Sequence, residues 1–310
     1  MTRVGFIGLG KMGGPMAANL ASAEHEVAGY DLVPEALAAA AANGLTVAGS
    51  AVEAVADAEV VVTMLTRGDV VRSVLLGSDG VLDHLRPGTI IVDSSSIDVA
   101  TTRELHEQAS SRSVGYLDAP VSGGVSGAQR GTLTFMVGGD AETLERVRPV
   151  LDVMGSKVVH AGPPGSGQGV KAVNQMLFGS TLVAVAEAFT LADRLGLDPS
   201  VLYDVVTSAS GDCWAIRNFC PWPGVVPGSA ADAGYESRFA ARLMSKDLNL
   251  AASAAADVGQ HLPVAAVVTA LYEQLINLRQ DDIDSSAVIQ VLPRPSRLDP
   301  RSSAATAEGA

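Results

Sequence analysis

The chain has 310 residues, 47% of them hydrophobic and 18% charged, with a formal net charge of −13. This length suits one large or two ordinary domains with a buried core, and the composition is that of a globular chain. An acidic balance of this size argues against nucleic acid as a partner, because phosphate binding needs basic patches. Cys213 and Cys220 form no CxxC pair, and no histidine pattern has metal-ligand spacing. Two thiols in a reducing cytosol and no metal are expected. His25, His84, His106, His160 and His261 read as structural or surface residues. No apolar run is expected to reach the ~18 residues of a membrane span. Met1-Thr2-Arg3 leads straight into an apolar segment without the pattern of a signal or transit peptide, so a cytoplasmic protein is expected.

Strand-like and helix-like stretches alternate through the first half. Residues 4–7 read as a buried strand and 15–23 as a helix with proline in its first turn. Residues 27–30 form a second strand, and an Ala-rich helix over 34–42 stops at Asn43-Gly44. Residues 60–65, 89–92, a stretch ending near Leu117, and 134–137 are further strands. Alternation of this kind predicts an α/β class with a doubly wound parallel sheet, a Rossmann-type domain over residues 1–163.

Strand signals nearly vanish after Gly162-Pro163-Pro164-Gly165. Residues 170–195 read as one long apolar helix, buried nearly all round or packed on a second subunit. Helices follow at 199–208, 237–258 and 263–279, so an all-α domain is expected over 164–292. Residues 293–310 are rich in Pro, Arg, Ser and Ala and are expected to form a disordered tail.

Gly8-Leu9-Gly10-Lys11-Met12-Gly13 fits G-x-G-x-x-G. The hexapeptide is a weak signal alone, but here it follows a strand and opens a helix, where it has physical meaning. The first glycine permits the tight turn, the second lets the backbone approach a pyrophosphate, and the third allows close helix–strand packing. The helix start then offers N–H groups to the anion. Asp31 ends the next strand, where a carboxylate takes hydrogen bonds from the adenosine ribose hydroxyls and repels a 2′-phosphate. NAD is therefore expected as the cofactor rather than NADP.

Asp118-Ala119-Pro120-Val121-Ser122-Gly123-Gly124 places a hydroxyl before two unhindered backbone amides. Composition alone leaves an anion cradle and a flexible loop equally open. Lys171 lies in the first turns of the long helix, with Asn174 and Gln175 on its face. An ammonium in so apolar a helix is costly to bury, which points to acid–base work; the alternative is a lysine that reaches back to solvent.

These motifs, in this order, resemble the β-hydroxyacid dehydrogenase family. The resemblance runs over residues 4–292. It is carried by Gly5-Phe6-Ile7-Gly8-Leu9-Gly10-Lys11-Met12-Gly13 with Pro15-Met16-Ala17-Ala18-Asn19-Leu20, and by residues 118–124. Gly167-Gln168 before Lys171, and Lys246-Asp247-Leu248 with Leu250-Ala251, continue it. Ser210-Gly211-Asp212-Cys213-Trp214 with Pro223-Gly224-Val225-Val226-Pro227 is similar to the hydroxyisobutyrate branch.

The resemblance implies an NAD-dependent oxidation of 3-hydroxyisobutyrate to methylmalonate semialdehyde, as in valine degradation. It implies Lys171 as the catalytic lysine and Ser122, Gly123 and Gly124 as binders of the substrate carboxylate. Asn174, Gln175 and Trp214 would line the substrate. Gly8 to Gly13, Asp31, Leu65, Thr66, Ser96 and Lys246 would hold NAD, with the nicotinamide facing an interdomain cleft, and Asp247 would anchor its neighbourhood. Trp222 is expected to pack in the interior. A homodimer or homotetramer is expected, partly from the apolar long helix.

Three departures bear on the substrate. Gln175 stands where the family often has a second Asn. Thr66 replaces a usual Pro, and Asp212 puts a negative charge at an often basic or polar position. The rival readings are a reductase of another semialdehyde such as tartronate semialdehyde, an imine reductase, and a non-catalytic NAD-binding protein.

Overall fold

The computed structural model describes residues 1–279 and 282–292; the stretch 293–310, expected to be a disordered tail, lies outside them. Contacts divide the chain into two compact units, Met1–Lys171 and Ala172–Ala310.

The first unit runs β1 (Arg3–Ile7), α1 (Gly13–Ser22), β2 (Glu26–Tyr30), α2 (Pro34–Ala42), β3 (Thr46–Val47), α3 (Ala51–Val55), β4 (Val60–Thr63) and α4 (Gly68–Leu76). It continues β5 (Ile90–Asp93), α5 (Val99–Ser110), β6 (Gly115–Asp118), β7 (Val121–Ser122), α6 (Gly124–Arg130), β8 (Leu133–Gly138), α7 (Ala141–Met154) and β9 (Gly155–Gly162). β4 and β5 are buried at every residue, as strands covered on both faces must be. Their side chains alternate between two cores. Val4, Phe6, Val60, Val62, Ile90 and Val92 pack on one face with Met16 and Leu20 of α1. Ile7, Val61 and Ile91 pack on the other with Val71 and Leu75 of α4 and Leu105 of α5. This two-residue period with helices on both faces makes the sheet doubly wound.

The strand order is β3-β2-β1-β4-β5-β6-β8-β7, with β9 on β8. The first six strands are mutually parallel. The doubly wound parallel sheet is extended at its far edge by a mixed segment: β8 runs antiparallel to β6 and β7, and β9 parallel to β8. The stretch 123–132 is too short for a parallel crossover, which needs about a dozen residues or more. β9 escaped the sequence reading because it is a mostly exposed strand without an apolar run.

The second unit takes in most of α8 (Ser166–Arg194), then α9 (Pro199–Ser208), α10 (Trp214–Asn218), α11 (Ala241–Asp257) and α12 (Pro263–Leu278). Besides helices it shows only two isolated bridges among the described residues, Glu236 with Ile283 and Ala240 with Asp284. Its core joins Leu182, Ala186 and Phe189 of α8 to Met244 and Leu248 of α11 and Val268, Tyr272 and Leu275 of α12.

Of the two alternatives expected for α8, burial nearly all round does not hold, for Val173 and Leu177 are each about 60% exposed, and packing on a second subunit stays open. By length and composition the helix is apolar enough to cross a membrane, against the expectation of no such run; half of its most apolar window is buried within the protein. α8 starts at Ser166, earlier than its apolar pattern, and its first turns count with the sheet unit. The cause is tertiary: a carboxylate from β6 caps the helix.

Candidate active site

Register across the parallel strands lines up Tyr30, Ile7, Thr63, Asp93 and Asp118 at the carboxyl edge. The ladder runs one step further, with the amides of Gly8, Met64, Ser94 and Ala119 donating to the carbonyls of Tyr30, Ile7, Thr63 and Asp93 at 2.7–2.9 Å. β1 sits between β2 and β4, so the chain reverses its winding there, and ligands of such sheets bind outside the carboxyl ends at that point. Asp31, the glycine loop, Leu65, Thr66 and Ser96 all follow directly from this edge.

Gly8 has φ +95°, and a Cβ on it would run into the Met64 carbonyl. A Cβ on Gly13 would collide with the Gly8 carbonyl oxygen. Gly10 meets nothing within 4 Å of a built Cβ, so its backbone faces open space. No side chain caps α1, which opens at Gly13. Asp31 takes the Leu9 amide on Oδ2 at 2.7 Å and the Val33 amide on Oδ1 at 2.9 Å, which holds the loop and the end of β2 together. A bare helix start, an open glycine and a carboxylate one strand away fit the pyrophosphate and ribose of a dinucleotide.

The loops after β4 and β5 are knotted by Asp93, which is fully buried. It accepts from the Thr63 hydroxyl at 2.7 Å, the Ser95 amide at 3.0 Å and the Tyr116 hydroxyl at 3.0 Å. Burial pushes the Asp93 carboxyl up, and burial together with the neighbouring Asp93 charge pushes the Tyr116 hydroxyl well above its usual range. The Ser95 hydroxyl accepts from the Leu65 amide at 2.9 Å, tying the two loops to each other. Sequence reading singled out Leu65, Thr66 and Ser96 but missed Asp93, a strand residue without a motif.

Ser122 ends β7, and Gly123 and Gly124 take φ +136° and +61°, which L side chains rarely adopt. Gly124 faces open space, so α6 begins on unhindered backbone. Asn19 of α1 donates to the Ala128 carbonyl of α6 at 2.7 Å. The Pro15–Leu20 motif therefore ties the glycine-loop helix to the Ser122 loop, a role invisible without the fold.

At the start of α8 the Asp118 carboxylate takes the amides of Gly165 and Gln168, both at 2.9 Å. Burial pushes this carboxyl up to about 6, opposed by those two amides. Lys171, three residues on, is 8% exposed. The Gln168 side chain is buried and reaches the Ser95–Ile97 loop.

Asn174, Gln175, Trp214 and Lys246 belong to the second unit. Gln175 is buried, and its Nε2 donates to Asp247 Oδ2 of α11 at 2.7 Å. Asn174 Nδ2 donates to Gln175 Oε1 at 3.2 Å. Lys246 pairs with Asp247 Oδ1 at 3.3 Å. A carboxylate only accepts, so Asp247 turns both amides and aims the Asn174 carbonyl oxygen away from the relay. Gln175 thus braces α8 on α11. Trp214 is 58% exposed and meets Phe178 edge-on at 5.3 Å. Trp222 is buried and stacks on Phe189. Asp212 forms a two-pronged pair with Arg217 at 2.8 and 3.0 Å, so its charge is neutralised locally.

Comparison with known proteins gives the family. Residues 3–162 match the NAD-binding domain of 6-phosphogluconate dehydrogenase, and 165–292 match the NAD-binding domain of NADP-dependent 3-hydroxyisobutyrate dehydrogenase. A probable 3-hydroxyisobutyrate dehydrogenase of Mycobacterium tuberculosis (strain ATCC 25618 / H37Rv) is 48% identical over 94% of this chain and 98% of its own. An NAD-dependent L-serine dehydrogenase of Pseudomonas aeruginosa is 41% identical over 96% and 99%. The solved structure of Mycobacterium tuberculosis 3-hydroxyisobutyrate dehydrogenase with L-serine superposes with a TM-score of 0.89, at 47% identity over 95% of this chain and all of that one. The chain is thus an NAD-dependent oxidoreductase belonging to the β-hydroxyacid dehydrogenase family.

Proposed function

We propose that this enzyme oxidises 3-hydroxyisobutyrate to methylmalonate semialdehyde, with Lys171 as general acid–base, in the breakdown of valine. The observation that carries the reading is Lys171 itself, buried in the first turns of a helix that is fastened to the carboxyl edge of the sheet. Gly8 to Gly13 would cradle the pyrophosphate, Asp31 the adenosine ribose, and Leu65, Thr66, Ser96 and Lys246 the nicotinamide half. NAD+ bound there supplies a hydride acceptor. Ser122 and the amides of Gly123 and Gly124 hold the substrate carboxylate. Lys171 Nζ takes the hydroxyl proton as the carbinol carbon becomes an aldehyde. Asn174 orients the substrate, Gln175 holds Asn174, and Trp214 lines the apolar end.

L-Serine is the second reading. It shares the carboxylate and the terminal CH2OH, and differs in carrying an ammonium where hydroxyisobutyrate carries a methyl. The Asn174 carbonyl oxygen is an acceptor suited to that ammonium, and the serine-named relatives favour the same comparison. Apolar side chains exposed on the second unit, among them Val173, Leu177, Val201, Val264 and Val267, favour a homodimer or homotetramer. The acidic net charge speaks against nucleic acid as a partner.

The test is a panel of 3-hydroxyisobutyrate, L-serine and glycerate with NAD, followed by NADH absorbance. The expected order of kcat/KM puts 3-hydroxyisobutyrate first. A larger value for L-serine or glycerate replaces the substrate assignment, and no turnover of any of the three removes it.

A further inference from the structure

We propose that Asp118 and Gln168 are positioning residues that hold Lys171 in register with the Ser96 loop by fastening the first turn of α8 to the ends of β5 and β6. The inference rests on Lys171 as the acid–base group. It adds two residues with no contact to the reacting atoms in that reading.

Three observations carry it. The Asp118 carboxylate straddles the start of α8, one oxygen on the Gly165 amide and the other on the Gln168 amide, both at 2.9 Å. These bonds are charge-assisted and complement the positive end of the helix dipole. Gln168 then uses both ends of its amide on the backbone after β5. Its Nε2 donates to the Ser95 carbonyl at 2.7 Å, and its Oε1 accepts from the Ile97 amide at 3.2 Å. Those two residues flank Ser96. Finally, nothing cushions the helix from the sheet. A Cβ on Gly167 would lie 2.6 Å from the Asp118 carbonyl and run into the Met136 carbonyl, and one on Gly138 would lie 2.7 Å from the Gly167 amide nitrogen. The helix backbone therefore rests directly on the strand ends.

Lys171 follows Gln168 by three residues, on the same helical face. A rigid turn transmits the position of one to the other, so the clamp sets where the lysine sits relative to the loop carrying Ser96. Misplacement of a reacting group by about 1 Å can cost about 10²-fold in rate. The spacing Gly-x-Gly-Gln-x-x-Lys is thus a mounting for the lysine, with Gly167 and the glutamine answering to contacts at the sheet edge and Gly165 to its φ of +87° and to Val99 of α5.

The experiment uses the full chain with Asp118→Asn and Gln168→Leu, alone and combined with Lys171→Ala. NADH formation is followed with 3-hydroxyisobutyrate and with L-serine, and hydrogen exchange is read on the peptide covering 163–175. Each single variant should speed exchange in the first turn of α8, lower kcat by about 10- to 100-fold and leave KM for NAD within about threefold. Neither should lower activity further in the Lys171→Ala background. Unchanged kcat in a folded variant with a loosened first turn overturns the proposal, as do losses that simply multiply in the double variants. Should Asp118→Asn fail to fold, Gln168→Leu decides by the same criteria. Near-wild-type turnover of Lys171→Ala would instead sink the acid–base reading, while the exchange data still report whether the clamp exists.

Discussion

Replacing Asp118 by asparagine changes almost nothing in shape and removes one buried charge. Asp118 is 1% exposed, and its surroundings combine two backbone amides with the like charge of Asp93 and the Tyr116 hydroxyl. Burial pushes its carboxyl from 3.8 to about 6. The folded protein therefore holds this proton more tightly than the unfolded chain. Stability from this group is fully present below about pH 4 and is lost as pH rises through about 6. At about 1.4 kcal/mol per pH unit, the displacement amounts to about 3 kcal/mol between those limits. Asp93 is shifted in the same direction and adds to the slope. Urea unfolding of the wild-type protein and the Asp118→Asn variant between about pH 4 and pH 7 reads the effect directly. The stability difference between the two proteins should move in favour of the variant by up to about 3 kcal/mol as pH rises across the window. A flat difference would refute the reasoning, because it would mean that Asp118 titrates alike in both states.

Other outcomes follow from the same geometry. Lys171→Ala should lower kcat by about 10²-fold or more in steady-state assays while NAD binding by fluorescence titration persists. Asp31→Ala should narrow the preference for NAD over NADP in the ratio of KM values, and it should cost stability because the Leu9 and Val33 amides lose their acceptor. Asp247→Asn lets the Gln175 and Asn174 amides turn over. It should lower kcat/KM for L-serine more than for 3-hydroxyisobutyrate, since only serine offers an ammonium to the Asn174 oxygen.

Local pattern was enough for the scaffold. The buried runs of β4 and β5 and the glycines after β1 announce a doubly wound sheet, because a strand covered on both faces must be apolar throughout and a tight turn needs residues without a Cβ. The helix over Pro34–Ala42 and the helix over Pro199–Ser208 have the bounds their proline starts predict. Motif residues could also be named from spacing, among them Asp31, Ser122 and Lys171.

What spacing could not reach was anything decided between distant segments. The antiparallel turn at β8 depends on chain length between strands, and β9 is an exposed strand with no apolar signal. Gln175 looked like a substrate contact, and the fold spends its amide on Asp247, 72 positions along the chain. The start of α8 is set by Asp118, 47 residues before Gly165, rather than by any capping residue beside it. A sequence displays periodicity and local chemistry, because those act between neighbours. Which carboxylate meets which amide across the chain exists only once the strands have brought them to one edge.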